Sequence, residues 1–212
     1  MLYRRFGRTQ QLMSAFSLGS MRLVHVPPEQ AQATVAAALE AGINHIETAQ
    51  AYGQAEVLLG EILQKLAVPR QRLILTTKLT PGERLRERLE GSLQRLQVEY
   101  LDQFAFHGIN LPEHLEWVLQ EGLPLLRQAQ QEGLVRYIGF STHGSLELIL
   151  QAIQRGQFDF VNLHYHFFPA AQCRGPGGGS PAGYGGVHHL PCRQRGDALS
   201  PAPASPGELC AL

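Results

Sequence analysis

Four side chains capable of acid–base chemistry follow short apolar segments of this sequence. Glu47 and Tyr52 follow one such segment, Lys78 follows the next, and His107 follows the one after that. A tyrosine phenol titrates near 10, too high for efficient proton donation at neutral pH, but a nearby ammonium favours the phenolate and lowers that pKa. A carboxylate beside the lysine would hold it charged, and a histidine can orient a carbonyl oxygen. The set therefore predicts a pocket that protonates a carbonyl and stabilises its oxygen, given a hydride source.

Each of these residues alone has a more ordinary interpretation. A lysine after a strand is most often a solvated loop residue, and a single histidine is most often a hydrogen-bonded structural residue. Glu47 could simply form a salt bridge with a neighbouring basic side chain. The functional hypothesis depends on all four residues meeting at one place.

The elements that would bring them together alternate along the chain. Apolar, β-rich segments and stretches with apolar residues every three or four positions follow one another. The predicted strands are Ala15–Leu18, Ile43–Ile46, Leu73–Thr77, Leu101–Phe106, Tyr137–Phe140 and Phe158–Leu163. The predicted helices are Pro28–Ala41, Ala55–Leu66, Arg84–Leu96, Glu113–Gln131 and Leu146–Arg155. Strand–helix alternation requires a parallel sheet, because each parallel connection needs a crossover.

Two α/β architectures satisfy this alternation, an open doubly wound sheet and a (β/α)8 TIM barrel. No GxGxxG follows the first predicted strand, which argues against a dinucleotide-binding open sheet. The sequence therefore favours the barrel, although a complete one needs about 250 residues. We expect an incomplete barrel of about six strands. Its active site would gather at the carboxyl ends of the strands, where further polar residues lie: Ser141, Thr142, His143, Asn162 and His164.

Five segments then resemble one known family in order and spacing. GINHIETAQAYGQAEVLLGEIL, at 42–63, resembles the aldo-keto reductase motif GxNxxDTAxxYGxxExxLG. The opening YRRFGRTQQLMSAFSLGSMRL resembles that family's first hairpin and first barrel strand. ILTTKL, YLDQFAFHG and VRYIGFSTHG also match. The resemblance covers about residues 1–168.

This resemblance implies an NADPH-dependent oxidoreductase that reduces an aldehyde or ketone on a (β/α)8 barrel. Tyr52 would be the general acid, Lys78 and Glu47 would tune it, and His107 would orient the carbonyl substrate. One departure concerns Glu47, since the family has an aspartate there. The charge is kept on a side chain one methylene longer.

The resemblance also implies a set of cofactor-binding residues. Ser141 and Asn162 match positions that hold the nicotinamide amide, although Thr142-His143 replaces the usual asparagine beside Ser141. Tyr165, between His164 and His166, falls where an aromatic ring often stacks on the nicotinamide. Met21, after the first barrel strand, completes the predicted cofactor-binding set.

Composition and segment length argue against nucleic-acid-binding, membrane and zinc-binding proteins. The chain has 212 residues, with 18 basic and 18 acidic side chains, so it lacks the cationic excess typical of nucleic-acid-binding proteins. No apolar run approaches the roughly 20 residues that cross a bilayer, and the N-terminus has no apolar signal core. We expect a soluble cytoplasmic protein without membrane or nucleic-acid partners. The cysteines and histidines near the C-terminus lack the spacing of a structural zinc site, so no metal is predicted.

The sequence divides at Phe168. Residues 1–168 form the predicted partial barrel, whereas 169–212 contain 9 of the 22 glycines and 7 of the 13 prolines. That tail has too few apolar residues to offset its chain entropy, so we expect it to be disordered. The strands that would be seventh and eighth in the family, with the loops that bind the cofactor's pyrophosphate and 2′-phosphate, have no counterpart in it.

A change of reading frame would explain the tail. Read from the second base of each codon, residues 183–200 accommodate the seventeen-residue string DMGVFIISPADKGGMLY without conflict, and residues 170–174 accommodate QRNA. Both strings resemble what the family places after its sixth barrel strand. We therefore hypothesise a frameshift, one base gained or two lost, near the codons for Phe168–Ala170. The alternative is a genuine disordered tail.

Two other functions remain open at this point. The first is an inactive fragment, because a barrel without its last strands leaves two sheet edges unpaired and binds no cofactor productively. The second is a nucleotide-binding regulatory subunit on the same fold. The presence of Tyr52, Lys78 and His107 argues against the second.

Overall fold

An N-terminal hairpin closes one end of the fold. In this computed structural model, which describes residues 1–164 and the strand Val187–Pro191, β1 (Tyr3–Phe6) pairs antiparallel with β2 (Gln11–Ser14). Phe6 and Met13 are buried against Ile74, Ala105 and Phe160 of the main sheet. The hairpin expected from the family resemblance is confirmed, and it covers the amino-terminal ends of the strands.

Six parallel strands form the curved main sheet, in the order in which they occur along the chain. They are β3 (Leu18–Gly19), β4 (His45–Glu47), β5 (Ile74–Leu79), β6 (Leu101–Phe106), β7 (Val135–Thr142) and β8 (Phe160–His164). The helices between them are α1 (Pro28–Glu40), α2 (Ala55–Lys65), α3 (Leu85–Leu96), α4 (Pro112–Trp117), α5 (Leu123–Gln131) and α6 (Leu146–Gln154). The incomplete TIM barrel predicted from the sequence is confirmed, with helices on its outer face.

The first barrel strand is shorter than predicted. We expected a strand over Ala15–Leu18, but β3 begins at Leu18. The hairpin uses the preceding residues instead, because the Ala15 N–H donates to the Leu2 carbonyl at 2.8 Å and the Ser14 hydroxyl donates to the Phe16 carbonyl at 2.6 Å. The chain therefore turns before it enters the barrel.

The predicted helix Glu113–Gln131 is interrupted by one π-helical turn, Val118–Gly122, between α4 and α5. Pro124 has no N–H to donate to the carbonyl four residues earlier, and the Leu123 N–H instead reaches back five residues to the Val118 carbonyl. At Gly122 any Cβ would come within 2.8 Å of Phe106 and Trp117, so the widened turn also packs closely on β6. The sequence periodicity does not reveal this interruption.

Packing between helices and strands explains two other residues of the family motif. Glu56 on α2 is buried, accepts a hydrogen bond from the Thr77 hydroxyl at 2.6 Å, and pairs with Arg95 of α3 at 2.7 Å. Gly60, one turn further along α2, lies against the Arg95 carbonyl, where a Cβ would overlap it. These contacts hold α2 and α3 against β5 and so fix the strand that carries Lys78.

A layer of polar side chains crosses the barrel interior. The His45 ring bonds to the Ser17 hydroxyl at 2.6 Å and the Thr76 hydroxyl at 2.9 Å. Thr76 donates to Gln103 at 3.0 Å, and Gln103 donates to Gln11 of the hairpin at 2.9 Å. His45 and Thr76 precede Glu47 and Lys78 by two residues on β4 and β5. Because side chains alternate along a strand, the polar layer lies on the same face of the sheet as that pair, nearer the amino-terminal ends of the strands.

Part of the C-terminal segment forms a strand. β9 (Val187–Pro191) pairs antiparallel with β8, with Val161 opposite Leu190. For these five residues the structure differs from the expected disorder, since the open edge of β8 offers unpaired N–H and C=O groups. At the other edge, β3 pairs with β4 alone among the strands of the described ranges. The remainder of the predicted tail lies outside the described residues.

Candidate active site

A buried ion pair lies at the carboxyl end of the sheet. Glu47 is the last residue of β4 and Lys78 lies on the neighbouring strand β5, with 5% and 2% of their surfaces exposed. The Lys78 ammonium donates to one Glu47 carboxylate oxygen, and the Asn162 amide of β8 donates to the other at 3.3 Å. The glutamate therefore reaches both partners, and its carboxylate connects two strands that are far apart in the sheet order.

Tyr52 stands beside this pair on the segment between β4 and α2. The backbone N–H of Tyr52 donates to the Ala49 carbonyl at 3.0 Å, and the Tyr52 carbonyl accepts the backbone N–H of Ala55, the first residue of α2, at 3.2 Å. The Lys78 Nζ lies 5.0 Å from the centre of the Tyr52 ring, on its face. The predicted convergence of these three residues is found.

The pKa of the Tyr52 phenol is raised from its ordinary value, whereas the sequence led us to expect a lowered one. Burial is the largest cause, and the Glu47 carboxylate adds to it. The Lys78 ammonium does lower the pKa, as expected, but by less than burial raises it. The expectation was wrong because it omitted the burial of the phenol. Tyr52 is thus protonated at neutral pH and able to donate.

His107 completes the group from the end of β6. The backbone N–H of His107 donates to the Leu79 carbonyl at 2.8 Å. The His107 ring lies edge-on to the Tyr52 ring, with centroids 5.7 Å apart. Burial, reinforced by Lys78 and opposed by Glu47, lowers the pKa of His107 to about 4. The imidazole is therefore neutral at pH 7. Its Nδ1 is buried without a hydrogen-bond partner in the described part of the chain.

Three of the four predicted cofactor-binding residues, Ser141, Asn162 and Met21, lie within the described part of the chain. Ser141 and Asn162 lie opposite each other on β7 and β8, and Asn162 is buried. The Ser141 hydroxyl accepts the Gly108 N–H at 3.1 Å. Met21 follows β3 and is 42% exposed. Tyr165 lies outside the described residues, as do His166 and the side chain of His164.

The two residues that replace the family's asparagine have local hydrogen bonds. The Thr142 hydroxyl donates to the Ile109 carbonyl at 2.6 Å and accepts from Gly144 at 2.9 Å. The His143 N–H donates to the Asn110 side-chain oxygen at 2.7 Å, and the His143 side chain is exposed. Both residues join the turn after β7 to the loop after β6.

Polar atoms that could contact a bound molecule lie at the barrel mouth. Gly19 lies opposite Glu47 in the sheet register, and a Cβ built on it would meet no described atom within 4 Å. Asn162 presents an amide, and His107 presents a ring nitrogen without a partner. A buried polar atom without a partner calls for an explanation, and a ligand that completes its hydrogen bonding is one.

The sequence reasoning missed two groups of residues around this site. One is the interior polar layer centred on His45. The other is Arg88 of α3, which binds Gln50 and Thr80 in the loops after β4 and β5. His45 stands in a variable position of the family motif, and Arg88 stands in a charged run, RLRERLEG, that is typical of a solvated helix face. Hydrophobic periodicity distinguishes neither from an ordinary residue.

A second cluster lies at the opposite end of the sheet. Asp102 accepts hydrogen bonds from Arg70 at 2.6 Å, from Arg136 at 3.0 Å and from the Leu75 N–H at 3.0 Å. The guanidinium groups of Arg70 and Arg136 each lie 4.1 Å from the centre of the Tyr100 ring. This cluster joins the amino-terminal ends of three strands. Residues at that end of a barrel generally stabilise the fold, whereas active sites lie at the opposite end.

Within the described ranges, no group of three or more histidine, cysteine or acidic side chains is arranged to hold a metal ion. Among the same residues, every helix is too short or too polar to cross a membrane.

Comparisons with known proteins identify the family and the fold. Residues 15–174 match the model of the aldo/keto reductase family. L-galactose dehydrogenase of Arabidopsis thaliana is 32% identical over 181 residues, which cover 77% of this chain and 56% of that protein. The chain thus spans about half the length of this known relative.

Solved structures give the same result. The holo form of an aldo-keto reductase from Bacillus halodurans is 26% identical, with a TM-score of 0.67 over 78% of this chain and 58% of that one. A thermostable aldo-keto reductase, Tm1743, solved in complex with the inhibitor epalrestat, is 29% identical, with a TM-score of 0.68 over 80% of this chain and 65% of that one. Because the family model spans most of the sequence and the fold agrees, this chain belongs to the aldo/keto reductase family.

Proposed function

We propose that this protein is an NADPH-dependent oxidoreductase that reduces an aldehyde or a ketone to an alcohol. The observation that carries the proposal is the convergence of Tyr52, Lys78, Glu47 and His107 from three successive strand ends. Members of this family are oxidoreductases that act on carbonyl compounds. The proposal extends that activity to a chain that matches about half of its known relative.

Tyr52 is the proposed general acid. Its raised pKa keeps the phenol protonated at neutral pH, so it can donate to a carbonyl oxygen as negative charge develops there. Lys78 stabilises the phenolate left behind, since its ammonium lies beside the ring and favours the charged form. Glu47 holds that ammonium in place through the buried ion pair.

His107 is proposed to orient the carbonyl. Its pKa of about 4 makes it a neutral hydrogen-bond donor rather than a competing proton source at pH 7. The Asn162 amide and the Ser141 hydroxyl are proposed to hold the carboxamide of the cofactor, with Met21 and Tyr165 beside the nicotinamide ring. NADPH, when bound, supplies the hydride. The His107 Nδ1, which has no partner among the described residues, is suited to contact such a carbonyl.

NADPH oxidation, followed by its absorbance in the presence of aliphatic, aromatic and sugar aldehydes, tests the function. L-galactose is tested in the opposite direction, with NADP+ and the appearance of NADPH absorbance, because the Arabidopsis relative is named as a dehydrogenase of that sugar. Tyr52→Phe should abolish turnover, whereas quenching of NADPH fluorescence should persist. Turnover that survives in Tyr52→Phe would remove the mechanism.

The second candidate is an inactive barrel fragment. It is favoured by one observation, that β3 pairs with β4 alone among the described strands. A cooperative thermal transition together with quenching of NADPH fluorescence would exclude it. Insolubility without chaperones, with no binding at millimolar NADPH, would exclude the enzyme instead.

The reading-frame hypothesis bears directly on this choice. We propose that the 1–168 barrel continues in the other frame, so that residues 169–212 replace its last two strands and their phosphate-binding loops. Sequencing the gene across the codons for Tyr165–Leu212 tests this. A surplus base in the reported sequence would restore a full-length reductase, whereas a confirmed sequence would favour the inactive fragment.

A further inference from the structure

Arg88 joins the segment that carries Tyr52 to the start of the loop that follows Lys78. From α3, its Nε and Nη2 donate to the Gln50 side-chain oxygen at 3.0 and 2.8 Å. Its Nη1 donates to the Thr80 carbonyl at 3.1 Å, and Nη2 also donates to the Thr80 hydroxyl at 2.9 Å. One guanidinium therefore makes four hydrogen bonds to two segments of the chain.

Both segments are part of the candidate active site. Gln50 precedes Tyr52 by two residues, and Thr80 follows Lys78 by two residues. The Gln50 N–H also donates to the Lys78 carbonyl at 3.0 Å. The Tyr52 segment is thus attached to the Lys78 segment by one direct backbone bond and by the Arg88 bridge. A displacement of either loop would change the separation of phenol and ammonium.

Arg88 differs from the other arginines at this end of α3. Arg84 pairs with Glu87, and Arg86 pairs with Glu90 and Glu132, all at the surface. The hydrogen bonds of Arg88 go to neutral oxygens, and it is partly buried, which lowers the pKa of its guanidinium. Holding a cation in partly desolvated surroundings is costly unless its donors are well used. The planar fork of arginine is suited to bridging two acceptors in this way.

We propose that Arg88 is a positioning residue, which fixes the Tyr52 segment against the Lys78 segment by bridging Gln50 and Thr80. The inference rests on the proposed function for its effect on turnover, but not for its effect on the environment of Tyr52. Burial is the main cause of the raised pKa of the Tyr52 phenol. Loosening the segment admits water, so the pKa should fall toward the ordinary value of 10.

The test compares Arg88→Met and Arg88→Lys with Arg86→Met as the matched control on the same helix. In the full chain labelled with 13C at the tyrosine Cζ, the Tyr52 resonance is assigned by its absence in Tyr52→Phe and titrated. We expect the phenol pKa to fall in both Arg88 variants and to stay unchanged in Arg86→Met. Arg88→Lys should behave like Arg88→Met, because an ammonium has the charge but not the two-sided fork.

Turnover provides the second readout. Arg88→Met should lower kcat by about 10- to 100-fold, the scale expected for a displaced catalytic group, while NADPH affinity changes less than about twofold. Gln50→Leu should reproduce the effect, and the Arg88→Met/Gln50→Leu double variant should be no worse than the more affected single variant. Gln50→Glu, which keeps an acceptor for Arg88, should not show the fall in the Tyr52 pKa that is expected for Gln50→Leu.

The outcomes separate the two proposals. A lower melting temperature in Arg88→Met with unchanged Tyr52 titration would overturn the positioning role and leave a structural one. If Arg88→Met does not fold, an unchanged titration in Gln50→Leu overturns the role equally. Absence of turnover in the wild-type chain would refute the proposed function, whereas the titration would still decide the role of Arg88.

Discussion

Lys78 approaches Tyr52 from the face of its ring, with the ammonium 5.0 Å from the ring centre, while its direct ion pair is with Glu47. The lysine therefore acts on two neighbours at once. Its charge stabilises a phenolate at Tyr52 and is itself balanced by a buried carboxylate. The phenol stays protonated at rest because burial outweighs the effect of this charge on its pKa.

Removal of the Tyr52 hydroxyl should abolish catalysis without unfolding the protein. In Tyr52→Phe the ring contact with His107 is kept, so we expect the melting temperature to change little. We expect kcat to fall by about 10² to 10⁴-fold, the usual contribution of a general acid. Steady-state NADPH oxidation measures the fall. Tyr137→Phe, which changes a tyrosine outside the site, is the control and should retain full activity.

Lys78→Met should destabilise the fold by leaving the Glu47 carboxylate buried without a cation. Removing one partner of a buried ion pair typically costs about 3–5 kcal/mol. Urea unfolding of Lys78→Met should show this loss, and adding Glu47→Gln should recover much of it because the remaining charge is removed. A double variant no more stable than Lys78→Met would mean that the ion pair does not determine stability here.

His107 should make the fold weaken as the pH falls. In the folded protein its pKa is lowered to about 4, whereas in the unfolded chain it keeps its ordinary value of 6.5. Between these values the unfolded state binds the proton, so the free energy of unfolding decreases from pH 6.5 toward pH 4. His107→Asn should remove this part of the pH dependence. His25→Gln, at an exposed position, should leave the curve unchanged, and an identical curve for His107→Asn would contradict the assignment.

His45 should be required for the interior polar layer. His45→Phe leaves the buried Thr76 hydroxyl and the Ser17 hydroxyl without the ring nitrogens they contact. Thr76 keeps its bond to Gln103 and Ser17 is half-buried, so each lost hydrogen bond should cost about 0.5–1.5 kcal/mol. Thermal or urea unfolding should therefore show a clear loss of stability. His45→Phe combined with Thr76→Val should be less destabilised than the sum of the two single changes, and simple additivity would argue against a connected layer.

Much of the architecture was predictable from local patterns. Alternating apolar segments gave the barrel class, and four leucines at helical spacing gave α3, whose Leu85, Leu89, Leu93 and Leu96 are all buried. Periodicity could not reveal the π turn at Val118–Gly122, because its cause is the missing N–H of Pro124 rather than a change in apolar spacing. It also could not separate the start of β3 from the end of the hairpin, since both are extended.

The candidate site was predictable as a set of residues but not as an electrostatic environment. The convergence of Tyr52, Lys78 and Glu47 follows from their places after neighbouring parallel strands. The direction of the Tyr52 pKa does not, since it depends on how much of the phenol is buried. Arg88 was overlooked for the same reason, because its contacts depend on where α3 packs relative to two loops.

The proton-handling residues all come from one short stretch of the chain, between Glu47 on β4 and His107 after β6. Each strand in that stretch pairs with its sequence neighbour, so their contacts close small loops, which costs little entropy. During synthesis this part can therefore take shape before later strands leave the ribosome.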